Sequence, residues 1–174
     1  MNRSRLPLTP AAVAAALSLA LSSCAIQGLE FRQDNRISIT SPASLAVVKV
    51  PFTLRWTAHD FPTGPNTMAG GNDYFAVFVD RQPMAPGAGL RVLGDATCQA
   101  TPGCPNESYL ETNYVFLTAK TQLRITSLPE LLPPTTRNGT KESHEIVIVL
   151  MNGSNHRIGE SAWYVDFFST FNNA

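Results

Sequence analysis

The chain has 174 residues, with 13 Lys plus Arg against 13 Asp plus Glu, so its formal charge is zero. One domain is the expectation at this length, and the lack of a basic excess argues against a nucleic-acid binder, which must neutralise phosphates. Hydrophobic residues at 44% can fill a core, and Pro (13) and Gly (11) are frequent without a period, which excludes a collagen or a solenoid and predicts a turn-rich globular chain.

The first elements in chain order are not part of a fold. Arg3 and Arg5 form a positive start, and Ala11 to Leu21 reads AAVAAALSLAL, apolar but for Ser18. A spanning helix needs about 20 apolar residues, so this run is too short to cross a bilayer and suits the apolar region of a secretion signal. Leu21-Ser22-Ser23-Cys24 follows at once. An aliphatic residue, two small residues and a cysteine in that place resemble the lipobox of bacterial lipoproteins. The resemblance implies a signal peptide over 1–23, a diacylglyceryl group on Cys24, and a lipidated tether over 24–35. The partner it implies is the membrane itself, since two acyl chains anchor stably where one binds only marginally. Ala25 follows the cysteine. In lipoproteins of two-membrane bacteria Asp at this place goes with inner-membrane retention, so Ala25 implies the outer membrane in such a cell.

With Cys24 given to lipid, Cys98 and Cys104 remain, in CQATPGC. Export places them in an oxidising compartment, where a disulfide is the default. Zinc would want more ligands at close spacing, and His59, His144 and His156 are scattered singly.

From residue 36 the pattern is one of short strands. Ile37 to Thr40 alternates, Ala46 to Val50 is a short apolar run, and Phe52 to His59 alternates for eight residues. Phe52, Leu54, Trp56 and Ala58 then share a buried face; Thr53, Arg55, Thr57 and His59 share a wet one. Tyr74 to Val79 is continuously apolar. A loop follows, with a short strand expected at Leu90 to Leu93, then a hairpin from Tyr114–Leu117 and Leu123–Thr126. Residues 127–142 read as loop. Glu145 to Leu150 is a second continuous apolar run, Asn152-Gly153-Ser154-Asn155 is turn chemistry, and Ala162 to Phe168 is the last strand. No stretch shows helical periodicity. The expected fold of residues 36–174 is therefore an all-β antiparallel sandwich.

Pro51-x-x-Leu54-x-Trp56, Tyr74-x-x-Val77 and the closing stretch HEIVIVLMNGSNHRIGESAWYVDFF resemble fibronectin type III and bacterial immunoglobulin-like domains. The resemblance implies an immunoglobulin-like β-sandwich, here with a long inserted segment at 81–140. Those families often carry a Tyr at the start of the penultimate strand, where this chain has His144. In such a layout the alternating strands at 37–40, 52–59 and 122–126 share one sheet, and the apolar strands at 74–79, 145–150 and 162–168 share the other. The second sheet then needs a cover on its outer face. Segment 81–140 can supply it from within. Alternatively a subset of Tyr74, Phe75, Phe78, Tyr164, Phe167 and Phe168, which parity alone does not select, supplies an exposed binding face for a partner or ligand, since large apolar patches mark contact sites.

Motifs for chemistry are missing. There is no G-x-S-x-G, H-E-x-x-H or P-loop, and Ser154 near His156 sits on a turn without a visible acid. Asp60, Asp73, Asp80 and Asp95 read as solvated loop acids without the spacing of a calcium loop, and His59 as a surface side chain. Asn106-Glu107-Ser108 and Asn138-Gly139-Thr140 match glycosylation acceptors, against a bacterial lipobox. No metal or other cofactor is expected. The functional expectation is a non-enzymatic binding or structural module at the cell envelope, touching an envelope protein or a glycan. The alternative is an envelope hydrolase with a site built from loops.

Overall fold

The computed structural model describes residues 36–60, 72–131 and 141–170. They belong to one unit, Asp34–Ala174. The expected signal peptide (1–23), Cys24 and the tether (24–35) lie outside the described residues, as does Asn138-Gly139-Thr140.

Eight strands form: β1 (Ile37–Ser41), β2 (Val47–Val48), β3 (Phe52–Ala58), β4 (Tyr74–Val79), β5 (Val115–Thr118), β6 (Gln122–Ile125), β7 (Lys141–Met151) and β8 (Arg157–Thr170). They make two sheets, β1-β3-β6 and β2-β8-β7-β4-β5. Every pairing is antiparallel except β2 with β8. The all-β expectation holds, and the strands divide between sheets by pattern, with β3 of the smaller sheet alternating and the continuous apolar runs at 74–79 and 146–151 both in the larger. The larger sheet curls into a half-barrel.

The core between the sheets sets Ile37, Leu54, Trp56 and Ile125 against Phe75, Val77, Ile146, Ile148, Val165 and Phe167. Trp56 meets Phe75 edge to face at 5.3 Å, and Phe52 meets Phe167 at 5.4 Å. Such pairs add about 0.5–1.5 kcal/mol beyond burial.

A second core lies on the other face of the larger sheet. Tyr74, Ala76 and Phe78 of β4, Val115 and Leu117 of β5, and Val147, Val149 and Met151 of β7 pack beneath Met84, Leu90, Leu93 and Leu110. All six residues of β4 are buried. That explains the unbroken apolar run: a strand with both faces covered has no reason to alternate. The cover is internal and comes from the long segment after β4.

Three local expectations are corrected. Leu90–Leu93 is a 3₁₀ turn, not a strand. Two short helices follow it, Ala96–Ala100 and Glu107–Thr112, each opened by a side-chain cap. Asp95 Oδ1 accepts from the Cys98 amide at 2.8 Å, and Asn106 Oδ1 from that of Tyr109 at 2.9 Å. Caps of this kind satisfy orphan amides, and helices of 5 and 6 residues are too short to display a period. Finally, β5 and β6 do not pair as a hairpin. β5 pairs with β4 and β6 with β3, so the chain crosses between sheets at residues 119–121. The reason is two-sided burial: Val115 and Leu117 belong under the cover, whereas Ile125 belongs between the sheets.

Candidate functional site

The six aromatic residues from which an exposed binding face could be drawn are mostly buried. Phe75 and Phe167 fill the core between the sheets, and Tyr74 and Phe78 lie under the cover. Tyr164 alone is broadly exposed, at 68%, while Phe168 is half-buried on the strand edge that pairs with β2. The cover occupies the face that a partner would have needed. Within it, the Tyr74 hydroxyl donates to Asn155 Oδ1 at 2.7 Å, and burial pushes that phenol well above its ordinary pKa.

The covering segment is held in two ways. Cys98 and Cys104 are joined as a disulfide, with Cα atoms 5.2 Å apart. Arg157, 7% exposed, donates to the Met84 carbonyl at 2.5 Å and to the carbonyls of Glu160 and Ser161 at 2.8 and 3.2 Å. Burial lowers the pKa of its guanidinium. It bridges the start of the cover to β8.

A polar cluster that no sequence motif announces sits at the other end of β4. Asp80, the residue after β4, takes a left-handed backbone with φ of 51°. Its Oδ2 lies 2.6 Å from His144 Nδ1, and its Oδ1 accepts from the Glu145 amide at 2.8 Å. His144 Nε2 lies 2.9 Å from Ser169 Oγ. Asp80 is thus not a solvated loop acid, and Ser, His and Asp stand in the order of a hydrolytic triad. Two facts separate this cluster from a working triad. Ser169 is 1% exposed, one residue before the end of β8, so its side chain is closed off from solvent. Glu142, 2% exposed, brings a second carboxylate to 3.8 Å from the same Nε2, where a developing oxyanion would be repelled. The imidazole also stacks on Phe167 at 5.5 Å, packed as a core residue. The cluster ties the end of β4 to β7 and β8.

Ser154 and His156 belong to a turn. Asn152 Oδ1 accepts from both of their amides, and the ring of His156 meets the Ser154 carbonyl, not its hydroxyl. Among the described residues no group of His, Cys, Asp and Glu is placed to hold a metal, and no helix is long and apolar enough to cross a membrane.

The solvent-facing side of the smaller sheet is different in kind. It carries an open groove of about 490 Å³ lined by Thr53 and Arg55 of β3, Leu123, Gln122 and Arg124 of β6, and Thr118 and Lys120 beside them. The register sets Thr53 opposite Arg124 and Arg55 opposite Gln122, so the two arginines are diagonal neighbours on one face. Arg55 Nη1 donates to Gln122 Oε1 at 2.8 Å, which holds its guanidinium across the strands. Among the described residues no carboxylate lines the groove. The strict alternation of residues 52–59 marked this as a wet face, but the cationic partners come from β6 and the crossing, 67 residues on for the Arg55–Gln122 pair.

Comparison of the chain with protein-family models, with curated proteins and with solved structures gives no match in any of the three.

Proposed function

We propose that the chain is an exported lipoprotein, anchored through Cys24, whose immunoglobulin-like β-sandwich acts as a binding or accessory module at the bacterial cell envelope. The observation that carries this reading is where polar chemistry meets solvent. The Asp80–His144–Ser169 cluster is buried, while an open groove on the smaller sheet is lined, among the described residues, by cations and neutral polar groups without a carboxylate. A surface to hold something fits a module; a sealed nucleophile does not fit an enzyme. The two-sheet arrangement and the closing β7–β8 hairpin support the immunoglobulin-like assignment. The Cys98–Cys104 disulfide supports an oxidising compartment.

The reading is tested by fractionating cells that express the full chain or Cys24→Ala. The wild type is expected with the membranes and the variant in the soluble fraction; membrane association unchanged by the substitution refutes the anchor. Cross-linking in native membranes with mass spectrometry then asks for a partner. The geometry of Asp80, His144 and Ser169 lends a hydrolase reading its one support. Labelling of Ser169 by a fluorophosphonate on the native protein would establish it, and its absence under conditions that label a control hydrolase removes it.

A further inference from the structure

The groove on the smaller sheet carries more information than its openness. Three cations line it, Arg55, Lys120 and Arg124, in a chain whose total charge is zero. Arg55 has an amide oxygen for a partner, and neither Lys120 nor Arg124 has a carboxylate partner among the described residues. Arg55 and Arg124 are diagonal neighbours across β3 and β6, and Lys120 lies at the crossing beside them. Thr53, Thr118 and Gln122 add hydroxyl and amide groups between them.

We propose that this groove binds a single strand of acidic polysaccharide, with its carboxylate or phosphate groups on Arg55, Lys120 and Arg124 and its hydroxyls on the neutral polar side chains. Guanidinium forks match planar carboxylate and phosphate oxygens, which a neutral sugar lacks. The proposal rests on the reading of the protein as an envelope-binding module and names that module's ligand.

Three competing occupants fit less well. A protein partner is held by buried aromatic and aliphatic anchors, yet the groove's one apolar side chain is the half-buried Leu123. The large exposed apolar side chains, Tyr164 and Leu45 among them, lie elsewhere. A bilayer surface presents headgroups in a plane and rewards apolar insertion, whereas six of the seven described lining residues of this groove are polar or charged. Single-stranded nucleic acid stacks its bases on aromatic rings, and no aromatic side chain lines the groove among the described residues.

The test uses the full chain in detergent, titrated with polygalacturonate oligomers, a phosphomannan, neutral dextran, and vesicles of phosphatidylcholine with phosphatidylglycerol. Binding to polygalacturonate or the phosphomannan is expected, weakening as salt rises, with dextran inert and vesicles weaker than the glycans. Arg55→Gln with Arg124→Gln, both on solvent-exposed positions, is expected to lower affinity about tenfold, as two partly screened ion pairs. Lys49→Gln, exposed and outside the groove, is the control and is expected to stay within about twofold. No binding of either acidic glycan at low salt overturns the proposal. So does equal loss in the double variant and the control, or vesicles outcompeting the glycans through the same arginines. These failures leave the module reading to the fractionation and cross-linking above. Conversely, a soluble wild-type protein that still binds acidic glycan refutes the envelope anchor and keeps the groove.

Discussion

Asp80 is the most informative position to perturb, because its side chain and its backbone make separate and opposite demands. The carboxylate, 8% exposed, accepts from the His144 ring and from the Glu145 amide. Asp80→Ala leaves both donors without it. An unsatisfied buried donor costs about 1–3 kcal/mol, and the low end applies to the half-buried Glu145. The left-handed φ of 51° adds a steric penalty of about 1 kcal/mol for alanine. The sum is a destabilisation of about 3–5 kcal/mol. Asp80→Gly loses the same acceptors without the steric penalty, so it should be milder by about 1 kcal/mol. Asp80→Asn keeps an oxygen for the Glu145 amide and tolerates the left-handed backbone. Its amide can donate to His144 Nδ1 if the ring takes its other tautomer, with Nε2–H then donating to Ser169. That rearrangement should cost only about 1 kcal/mol. The expected order of damage is therefore Ala, then Gly, then Asn. Urea unfolding followed by the fluorescence of the buried Trp56 measures it, with midpoint and slope fitted together. Asp80→Ala within about 0.5 kcal/mol of wild type, a margin typical of neutral surface changes, would refute the clamp; Asn as damaging as Ala would refute the tautomer argument.

Leu110 is fully buried under the cover, so Leu110→Ala should cost about 2–5 kcal/mol and raise binding of a hydrophobic dye as Tyr74 and Phe78 lose their lid. Gly94→Ala would set a Cβ 2.7 Å from Cys98 Sγ, so a loss of about 1–3 kcal/mol is expected. Removing that sulfur with Cys98→Ala and Cys104→Ala should make the Gly94 change milder, a non-additivity that a double-mutant cycle reads directly. Tyr74 has a raised pKa in the fold through burial, so its contribution to stability is complete below the unfolded value of about 10 and is lost as pH rises beyond it. Tyr74→Phe should flatten the alkaline limb of the stability profile, and an unchanged limb would exclude Tyr74 as its source.

Much of the layer structure was legible because burial writes itself into parity. Leu54 and Trp56 alternate with Arg55 and Thr57, and that alone places β3 in a sheet with one wet face. Tyr74 to Val79 never alternates, and that alone demands a cover. The cover's own structure was not legible: helices of 5 and 6 residues present at most two turns, and their signal is a capping Asp or Asn, which loops also use. The false hairpin at β5 and β6 shows the limit of local pairing. A short connection normally joins neighbours in one sheet, and only the burial of Val115 and Leu117 beneath the cover pulls β5 away. His144 did carry a readable sign. It shares parity with Ile146 and Ile148, both in the core between the sheets, so its ring had to point inward and had to find partners there. Which acid it would meet depended on Asp80, 64 residues earlier, and no spacing rule reaches that far.

The two sheets divide the labour of the fold, and the division explains why its chemistry lies where it does. A sheet gains stability from a face only by covering it, and a covered face is lost to any ligand. In the larger sheet both faces of β4 and most of β7 are covered, and the Asp80–His144–Ser169 cluster at the strand ends is buried with them. The smaller sheet spends one face on the core and leaves the other open. Positions 53, 55, 122 and 124 on that open face make no demand on packing, so their side chains are free to be chosen for what they present. Among them are two arginines, with Lys120 beside them and no acid lining the same groove. A merely solvated face in a chain with as many acids as bases would mix the two signs. The gathering of one sign on this open face is what ties the architecture to the proposed anionic ligand.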